Sequence, residues 1–469
     1  MKNSPINFGT DGWRATIADE YTFENLKIVA AGLAAHLQKT EKDKIQNGVA
    51  IGYDTRFLSA EFAQTAAEVL SASGIPAKVS DRDATTPAIA WAARGGGLAA
   101  GIMITASHNP PKYNGFKFMA PDGSPADKEA TGSVESLLGK KLKPTNQSNG
   151  PAQVTSFDPR PEYFKQLQTV IDFDLLKKNK GKAVCDFVHG TGRGYLDHLL
   201  RECGWKVQTI RENPDPMFGG ILPDPANPKC HIALQEAVGK SKADIGLAND
   251  PDADRFGVVD SAGQYISANQ CLALMYVHLL EHRGMRGPIA RTVATSGILD
   301  AIAKKHGQEA IETPVGFKWI GAAIEEQGAI LGGEESNGMS MKGHTPGKDG
   351  ILADLLLAEI WAVNKQPLSV LYQKAMKKYG SFYSTRTDLH LTDDAKNALM
   401  EKMQTKTPRE FGGSKVASKV LLDGVKLNLE DGSWLLMRPS GTEPLVRVYL
   451  EARSQKRLKE LQAAAQQLK

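Results

Sequence analysis

Apolar positions along the chain change period at regular intervals. A helical spacing near 22–38 gives way to the apolar run Val49-Ala-Ile-Gly-Tyr53; a second helical pattern covers 59–73, and another apolar run follows at 101–104. Such alternation predicts βα units. Residues 139–156 lose the period and are rich in Lys, Pro, Asn, Ser and Gly, which predicts a linker. Beyond it, a helix near 161–178, the strand-like Ala183-Val-Cys-Asp-Phe-Val188, a loop carrying Pro214, Pro216, Pro223, Pro225 and Pro228, and the strand-like Phe256-Gly-Val-Val-Asp260 predict a second α/β unit. A third runs from a helix near 267–282 through a strand at 289–293 to helical patterns at 350–363 and 368–378. Period-two alternation then dominates at 381–395, 433–437 and 445–451, before a closing helix that carries Leu458, Leu461, Ala465 and Leu468. The expected domains are 1–150, 151–262, 263–378 and 379–469, three α/β units and a smaller α+β unit. No internal sequence repeat is evident by inspection.

Composition narrows the class. A chain of 469 residues exceeds what one hydrophobic core supports, so sites between domains are expected. Hydrophobic residues make up 41% and charged residues 23%, an ordinary globular balance. With 57 basic against 53 acidic residues the net charge is +4, which gives no electrostatic footprint for nucleic acid; any anion site must be local. Cys185, Cys203, Cys230 and Cys271 have neither CxxC nor zinc spacing, as in a reduced cytoplasm. The start of the chain lacks a signal-peptide pattern. The most apolar stretches, 271–280 and 351–363, are too short or carry Asp354 and Glu359, so they predict buried or amphipathic helices rather than a membrane span. A cytoplasmic protein without nucleic-acid or membrane partners is the expectation.

Candidate chemistry lies in loops that follow apolar runs. Ile104-Thr-Ala-Ser-His-Asn-Pro110 places the Ser107 hydroxyl at a polar turn. Asp250-Pro-Asp-Ala-Asp-Arg255 sets three carboxylates at alternate positions after Ile245-Gly-Leu-Ala, at an expected strand end. Three close carboxylates repel one another unless a hard cation such as Mg²⁺ or Ca²⁺ neutralises them. A bare DxDxD is also compatible with a solvated acidic turn. The calcium-loop reading fails, because Arg255 and Ser261 stand where glycine and glutamate are required. Gly332-Gly-Glu-Glu-Ser-Asn-Gly338 presents Glu334, Glu335 and Ser336 on a glycine turn, groups suited to sugar hydroxyls. Arg438-Pro-Ser-Gly-Thr-Glu443 combines a guanidinium, two hydroxyls and a glycine, which suits a dianionic phosphate or simply a capped surface turn. Nucleotide-binding patterns do not fit: Gly190-Thr-Gly-Arg-Gly194 has Tyr195 where GxGxxG needs glycine, and Gly347-Lys348 lacks the P-loop context. No GxSxG elbow surrounds Ser107.

Taken in order, Thr105-Ala-Ser-His-Asn-Pro110, Asp250-x-Asp-x-Asp-Arg255, Gly333-Glu-Glu-Ser336 and Arg438-Pro-Ser-Gly-Thr442 resemble the signature loops of one family, the α-D-phosphohexomutases. Gly9-Thr-Asp-Gly-Trp-Arg14, Asn114-Gly-Phe-Lys117 and Thr313-Pro-Val-Gly-Phe-Lys318 extend the resemblance over the whole chain. It implies four domains around a central cleft, three related α/β domains with mixed sheets and a C-terminal α+β domain. It further implies that Ser107 is a phosphoserine, that one Mg²⁺ per chain is held by Asp250, Asp252, Asp254 and a phosphoserine oxygen, and that Arg14, Lys117 and Arg255 surround the transferred group. Substrate contacts are implied for Gly316, Lys318, Glu334, Ser336 and Lys348. The second phosphate is implied to be gripped by Arg438, Ser440, Gly441, Thr442 and Arg447.

The family's chemistry moves a phosphoryl group between two hydroxyls of one hexose through a 1,6-bisphosphate. Lys117 and Lys348 are the proton-transfer candidates, whereas His108 and His344 fit structural hydrogen-bonding better. The Gly333-Glu-Glu-Ser336 and Lys348-Asp-Gly350 segments resemble the glucose branch, which implies a phosphoglucomutase with glucose 1,6-bisphosphate as intermediate and activator. Val315 and a short serine loop depart from the animal-type glucose enzymes, so mannose or dual glucose/mannose activity is the alternative. Phosphoglucosamine mutase and sugar phosphatase activities are further alternatives. A monomer or a homodimer is expected.

Overall fold

The computed structural model describes residues 6–9, 12–139, 150–440 and 445–468. Its first sheet contains β1 (Trp13–Thr16), β2 (Val49–Tyr53), β3 (Ala77–Ser80), β4 (Ala100–Ile104), β5 (Tyr113–Met119) and β6 (Val154–Phe157), in the order β1-β5-β4-β2-β3-β6. The second has β7 (Lys182–Asp186), β8 (Lys206–Ile210), β9 (Ile245–Asn249), β10 (Phe256–Asp260) and β11 (Tyr265–Ile266), ordered β11-β10-β9-β7-β8. The third has β12 (Ile289–Thr292), β13 (Ala310–Thr313), β14 (Leu331–Gly333) and β15 (Met339–Met341), ordered β13-β12-β14-β15. All three sheets are mixed.

They also share one topology. In each, two parallel strands (β2 and β3, β7 and β8, β12 and β13) are joined by a third that lies parallel to the first of the pair (β4, β9, β14). An antiparallel return then pairs with that third strand (β5, β10, β15). The loops between third strand and return are 105–112, 250–255 and 334–338. The serine, aspartate and glutamate segments thus occupy one equivalent position in three repeats, at the carboxyl end of a parallel strand where α/β sites form. The repeat resides in the order of strands, which a residue-by-residue inspection does not reveal.

The fourth sheet is wholly antiparallel, with β16 (Tyr383–His390), β17 (Glu410–Phe411), β18 (Ser414–Val420), β19 (Val425–Leu429), β20 (Trp434–Pro439) and β21 (Leu445–Ala452), ordered β16-β21-β20-β19-β18-β17. Helices Asp393–Thr405 and Gln455–Gln466 contribute Met400, Met403, Leu461 and Ala465 to its core. The second and third domains share one apolar cluster around helix Gly350–Asn364, which is buried on nearly every side. That is why its sequence is apolar all round rather than amphipathic. Glu359 on this helix accepts from His278 at 2.8 Å and pairs with Arg283; Asp354 accepts from Asn249 at 3.0 Å. Among the described residues no helix is long and apolar enough to cross a membrane.

Three elements differ from the sequence expectation. The helix expected at 161–178 is two helices, Arg160–Val170 and Phe173–Lys178, because Ile171 is extended and Asp172 caps a new first turn through Leu175 N. The stretch 139–156 is not linker throughout: β6 pairs in parallel with β3 as an edge strand, its half-solvated face hiding the apolar signal. Residues 140–149 of that stretch lie outside the described residues. The β-like run 381–395 ends at His390, since Thr392 caps helix Asp393–Thr405.

Candidate active site

Ser107 sits one turn beyond β4 with φ +50°, in the left-handed region that a non-glycine residue enters only when its surroundings hold it there. Two devices hold it. The Thr105 hydroxyl accepts from Ser107 N at 2.8 Å and donates to Asp54 Oδ2 at 2.6 Å. The Arg56 guanidinium donates to the carbonyls of Ser107, Asn109, Pro110 and Tyr113 at 2.5–2.9 Å and pairs with Asp54 at 3.1 Å, both side chains being fully buried. Phe218 of the second domain covers the guanidinium, its ring centroid 4.9 Å away. Neither Asp54 nor Arg56 was singled out by sequence, although Asp54-Thr-Arg56 follows β2 at its carboxyl end, where such residues belong.

Arg56→Ala would strip four carbonyls of their donor and leave Asp54, already raised by burial and held down by Arg56, without its counter-charge. Breaking a buried pair in this way costs about 3–5 kcal/mol. The thermal unfolding midpoint should therefore drop by several degrees, and an unchanged midpoint would show that the loop finds other support.

So held, Ser107 Oγ donates to Asp250 Oδ2 at 2.7 Å across the boundary between the first two domains. Asp250, Asp252 and Asp254 are buried, and one ligand oxygen of each lies within 4.8 Å of the others. Thr86 donates to Asp252 at 2.6 Å; Lys117 Nζ reaches Asp252 at 2.8 Å and Asp254 at 3.0 Å; Lys348 Nζ stands 3.4 Å from Asp254. Burial, and then the charges of Asp252 and Asp254, push Asp250 well above the usual carboxylate range. Burial acts the same way on Asp252, but Lys117 and the hydrogen bonds from Lys117 and Thr86 overcome it and hold that carboxyl below its ordinary value. Asp252 Oδ1 and Asp254 Oδ1 are buried without a hydrogen-bond partner. Orphaned hard oxygens beside repelling carboxylates are the donor set a divalent cation such as Mg²⁺ satisfies.

Arg255 N donates to Asp250 Oδ1 at 3.0 Å, and its guanidinium pairs with Asp224 of the proline-rich loop at 3.6 Å. Arg14 donates to Asn109 of the serine loop at 2.7 Å. The positive charges converge: burial first, then Arg255, Arg14, Lys348 and Lys117, hold the His108 imidazole well below its ordinary value. The ring lies 3.4 Å from Ser107 Oγ, within reach of a weak hydrogen bond. His344 also takes part in buried hydrogen bonding. It bonds Asp349 at 2.7 Å, as does the Tyr163 hydroxyl, while Asp349 caps helix Gly350–Asn364. Lys348 immediately precedes Asp349 in the chain. A Cβ at Gly350 would strike the Arg255 carbonyl, so the Lys-Asp-Gly segment can lie against the aspartate loop only with glycine there.

The third domain contributes further polar groups. Glu334 Oε1 accepts from Gly316 N at 3.1 Å, and burial raises Glu334 while Lys348 opposes the shift. Glu335 accepts from Thr292 at 3.1 Å, and Ser336 is half-buried. Lys318 is set apart from this group: its Nζ lies 5.1 Å from the Trp319 ring centroid, and its environment is that of Lys128 and Asp127 in the first domain. In the fourth domain Arg438 faces Arg447 across β20 and β21. Like charges directly opposite are unfavourable unless an anion lies between or near them. Ser440 is buried, and Gly441 and Thr442 lie outside the described residues.

Known proteins match over this whole arrangement. Models of the phosphoglucomutase/phosphomannomutase α/β/α domains I, II and III match residues 5–144, 161–263 and 267–379, and that of the C-terminal domain matches 394–467. A phosphoglucomutase/phosphomannomutase of Thermococcus kodakarensis is 31% identical over 97% of this chain and 96% of its own. A protein of Methanothermobacter thermautotrophicus named a probable phosphoglucosamine mutase is also 31% identical, over 97% of this chain and 96% of its own. The solved open form of parafusin, a phosphoglucomutase from Paramecium, superposes with a TM-score of 0.81 at 25% identity, covering 98% of this chain and 93% of that one.

Proposed function

Because the chain belongs to the phosphoglucomutase/phosphomannomutase family of α-D-phosphohexomutases, we propose that it interconverts glucose 1-phosphate and glucose 6-phosphate through phospho-Ser107 and a glucose 1,6-bisphosphate intermediate. The observation that carries the reading is Ser107 held left-handed, its hydroxyl 2.7 Å from a buried aspartate triad and inside a ring of cations. Such a site neutralises a phosphoryl group at a fixed position, which is most of what phosphoryl transfer requires.

In the forward direction the P–Oγ bond of phospho-Ser107 breaks and a P–O bond forms to the free 6-hydroxyl of hexose 1-phosphate. The hydroxyl proton leaves with a base, and Ser107 Oγ recovers a proton. Lys117 and Lys348, both in contact with Asp254, are the proposed carriers. The bisphosphate then turns end for end and returns its 1-phosphoryl group to Ser107. Mg²⁺ held by Asp250, Asp252 and Asp254 would supply charge neutralisation on the phosphoryl oxygens. Arg14, Lys117 and Arg255 add fixed positive charge there, while Arg438, Ser440 and Arg447 receive the phosphate that is not in transfer. Glu334 and Ser336 would bond hydroxyls present in both orientations, so one pocket serves both poses. Lys318, set toward the first domain, would contact substrate only at the cleft rim.

Glucose is favoured by the Glu334-Glu335-Ser336 and Lys348-Asp349-Gly350 segments. The names of the relatives span glucose, mannose and glucosamine, and Val315 before Gly316 favours dual glucose/mannose use as the second reading. A coupled assay that compares glucose, mannose and glucosamine 1-phosphates, with Mg²⁺ and catalytic hexose 1,6-bisphosphate, tests this. The glucose ester should show the highest kcat/KM. A higher value for glucosamine 1-phosphate would reject the assignment, and inorganic phosphate released in step with substrate loss would reject any mutase.

A further inference from the structure

A residue that no sequence pattern singled out connects the sugar side of the cleft to the phosphate side. Asp423 lies in the turn between β18 and β19 of the fourth domain. One of its oxygens, Oδ2, accepts from Arg438 Nε at 2.9 Å and from the backbone N of Val315, in the third domain, at 3.0 Å. The next residue, Gly316, donates its N–H to Glu334 at 3.1 Å. A continuous polar path therefore runs from the phosphate-facing arginine through Asp423 and the 315–316 backbone to the glutamate that faces the sugar.

The turn that presents Asp423 is built for close approach. Gly424 has φ +84°, and a Cβ there would strike the Met437 carbonyl and crowd Arg438 Cα, so the turn lies directly against β20. Engagement through Nε has a specific consequence for Arg438. A guanidinium anchored at that nitrogen keeps both terminal nitrogens for a phosphate, and its plane is fixed before the phosphate arrives. Asp423 also offsets one charge of the opposed Arg438 and Arg447 pair.

We infer that Asp423 is a positioning residue: it aims Arg438 at the non-transferred phosphate and ties that arginine to the Val315–Gly316 backbone, so that the phosphate grip and the sugar contact are set as one unit. The inference rests on the mutase reading for its substrate, but the geometry predicts an effect on phosphate binding itself. Preorganisation of this kind acts on affinity, since the Ser107 chemistry lies in the first two domains.

The test uses the full-length protein and the variants Asp423→Ala, Asp423→Asn and Arg438→Ala, with the double variant Asp423→Ala/Arg438→Ala. Asp423→Ala should raise KM for the hexose phosphate about tenfold and weaken inorganic phosphate binding by a similar factor, leaving kcat within about threefold. Asp423→Asn, which keeps an acceptor for Val315 N, should show a smaller rise. In the double variant Asp423→Ala should add almost nothing to Arg438→Ala. An unchanged KM in Asp423→Ala, KM effects of the two single changes that multiply, or a fall in kcat with KM unchanged would each overturn the inference. Inorganic phosphate binding, read as a shift in the unfolding midpoint, needs no turnover. Wild-type protein that binds phosphate but isomerises no hexose phosphate would therefore defeat the mutase reading alone, and loss of that shift in Asp423→Ala would still support the positioning role.

Discussion

Ser107→Ala is expected to lower hexose phosphate isomerisation by roughly 10⁴-fold or more, because the oxygen proposed to carry the phosphoryl group is gone and only weaker electrostatic assistance remains. The loss should be chemical rather than structural. The backbone at 107 is set by Thr105 and by the Arg56 cage, neither of which uses the serine hydroxyl, so the protein should stay folded, its stability lowered by no more than the about 1–3 kcal/mol that Asp250 loses with its donor. Ser107→Gly provides the control for backbone strain: it accepts φ +50° without penalty and still lacks the hydroxyl, and it should be as inactive as the alanine variant. Intact-protein mass after incubation with glucose 1,6-bisphosphate reads the intermediate directly. Wild type should gain a phosphate-sized increment that both variants lack. Full turnover in either variant would remove the phosphoserine mechanism.

Removal of divalent cations should abolish turnover reversibly, with Mg²⁺ restoring it. The buried, unpartnered Asp252 Oδ1 and Asp254 Oδ1 have no other described partner to satisfy them. Asp250→Asn, which removes one charge from the set and relieves mutual repulsion, should leave the metal-free protein folded while reducing kcat by roughly 10²–10³-fold, the cost of losing one major electrostatic element. The independent readout is stability. Mg²⁺ at about a hundred times its dissociation constant should stabilise the wild type by about 2.7 kcal/mol. Asp250→Asn should show little of that shift at the same concentration. An activity that survives exhaustive chelation, or a midpoint insensitive to Mg²⁺ in wild type, would show that the triad is not a cation site.

Much of this arrangement was legible in the chain. Strands such as Val49–Tyr53 and Phe256–Asp260 follow from short apolar runs bounded by polar turns, and helix Gly350–Asn364 from a long one. The aspartate triad is local in sequence, so its chemistry could be read from three alternate residues. What pattern alone misjudged is equally physical. Asp172 and Thr392 start new helices by capping, a local hydrogen bond that outweighs the surrounding periodicity. β6 is an edge strand whose solvated face carries no apolar alternation.

Arg56, Thr86 and Asp423 stayed invisible because the site groups they serve lie far from them in the chain. Arg56 serves carbonyls at 107–113, Thr86 serves Asp252, and Asp423 serves Val315. Asp224, in a proline-rich loop, is likewise read only as a turn residue until it meets Arg255.

By itself, the sequence determined most of the elements, the four-unit organisation and the close spacing of the three aspartates, because periodicity, turn residues and neighbouring carboxylates act over a few positions. The tertiary structure alone decided that three of those loops are equivalent corners of one repeated topology, and that Ser107 is forced left-handed onto Asp250. It alone placed Lys117, Lys348 and Arg255 around the same point and linked Arg438 to the Val315 backbone through one aspartate. Those relations depend on hydrogen bonds and Coulomb interactions between groups distant in the chain, and only packing of the domains brings such groups within reach.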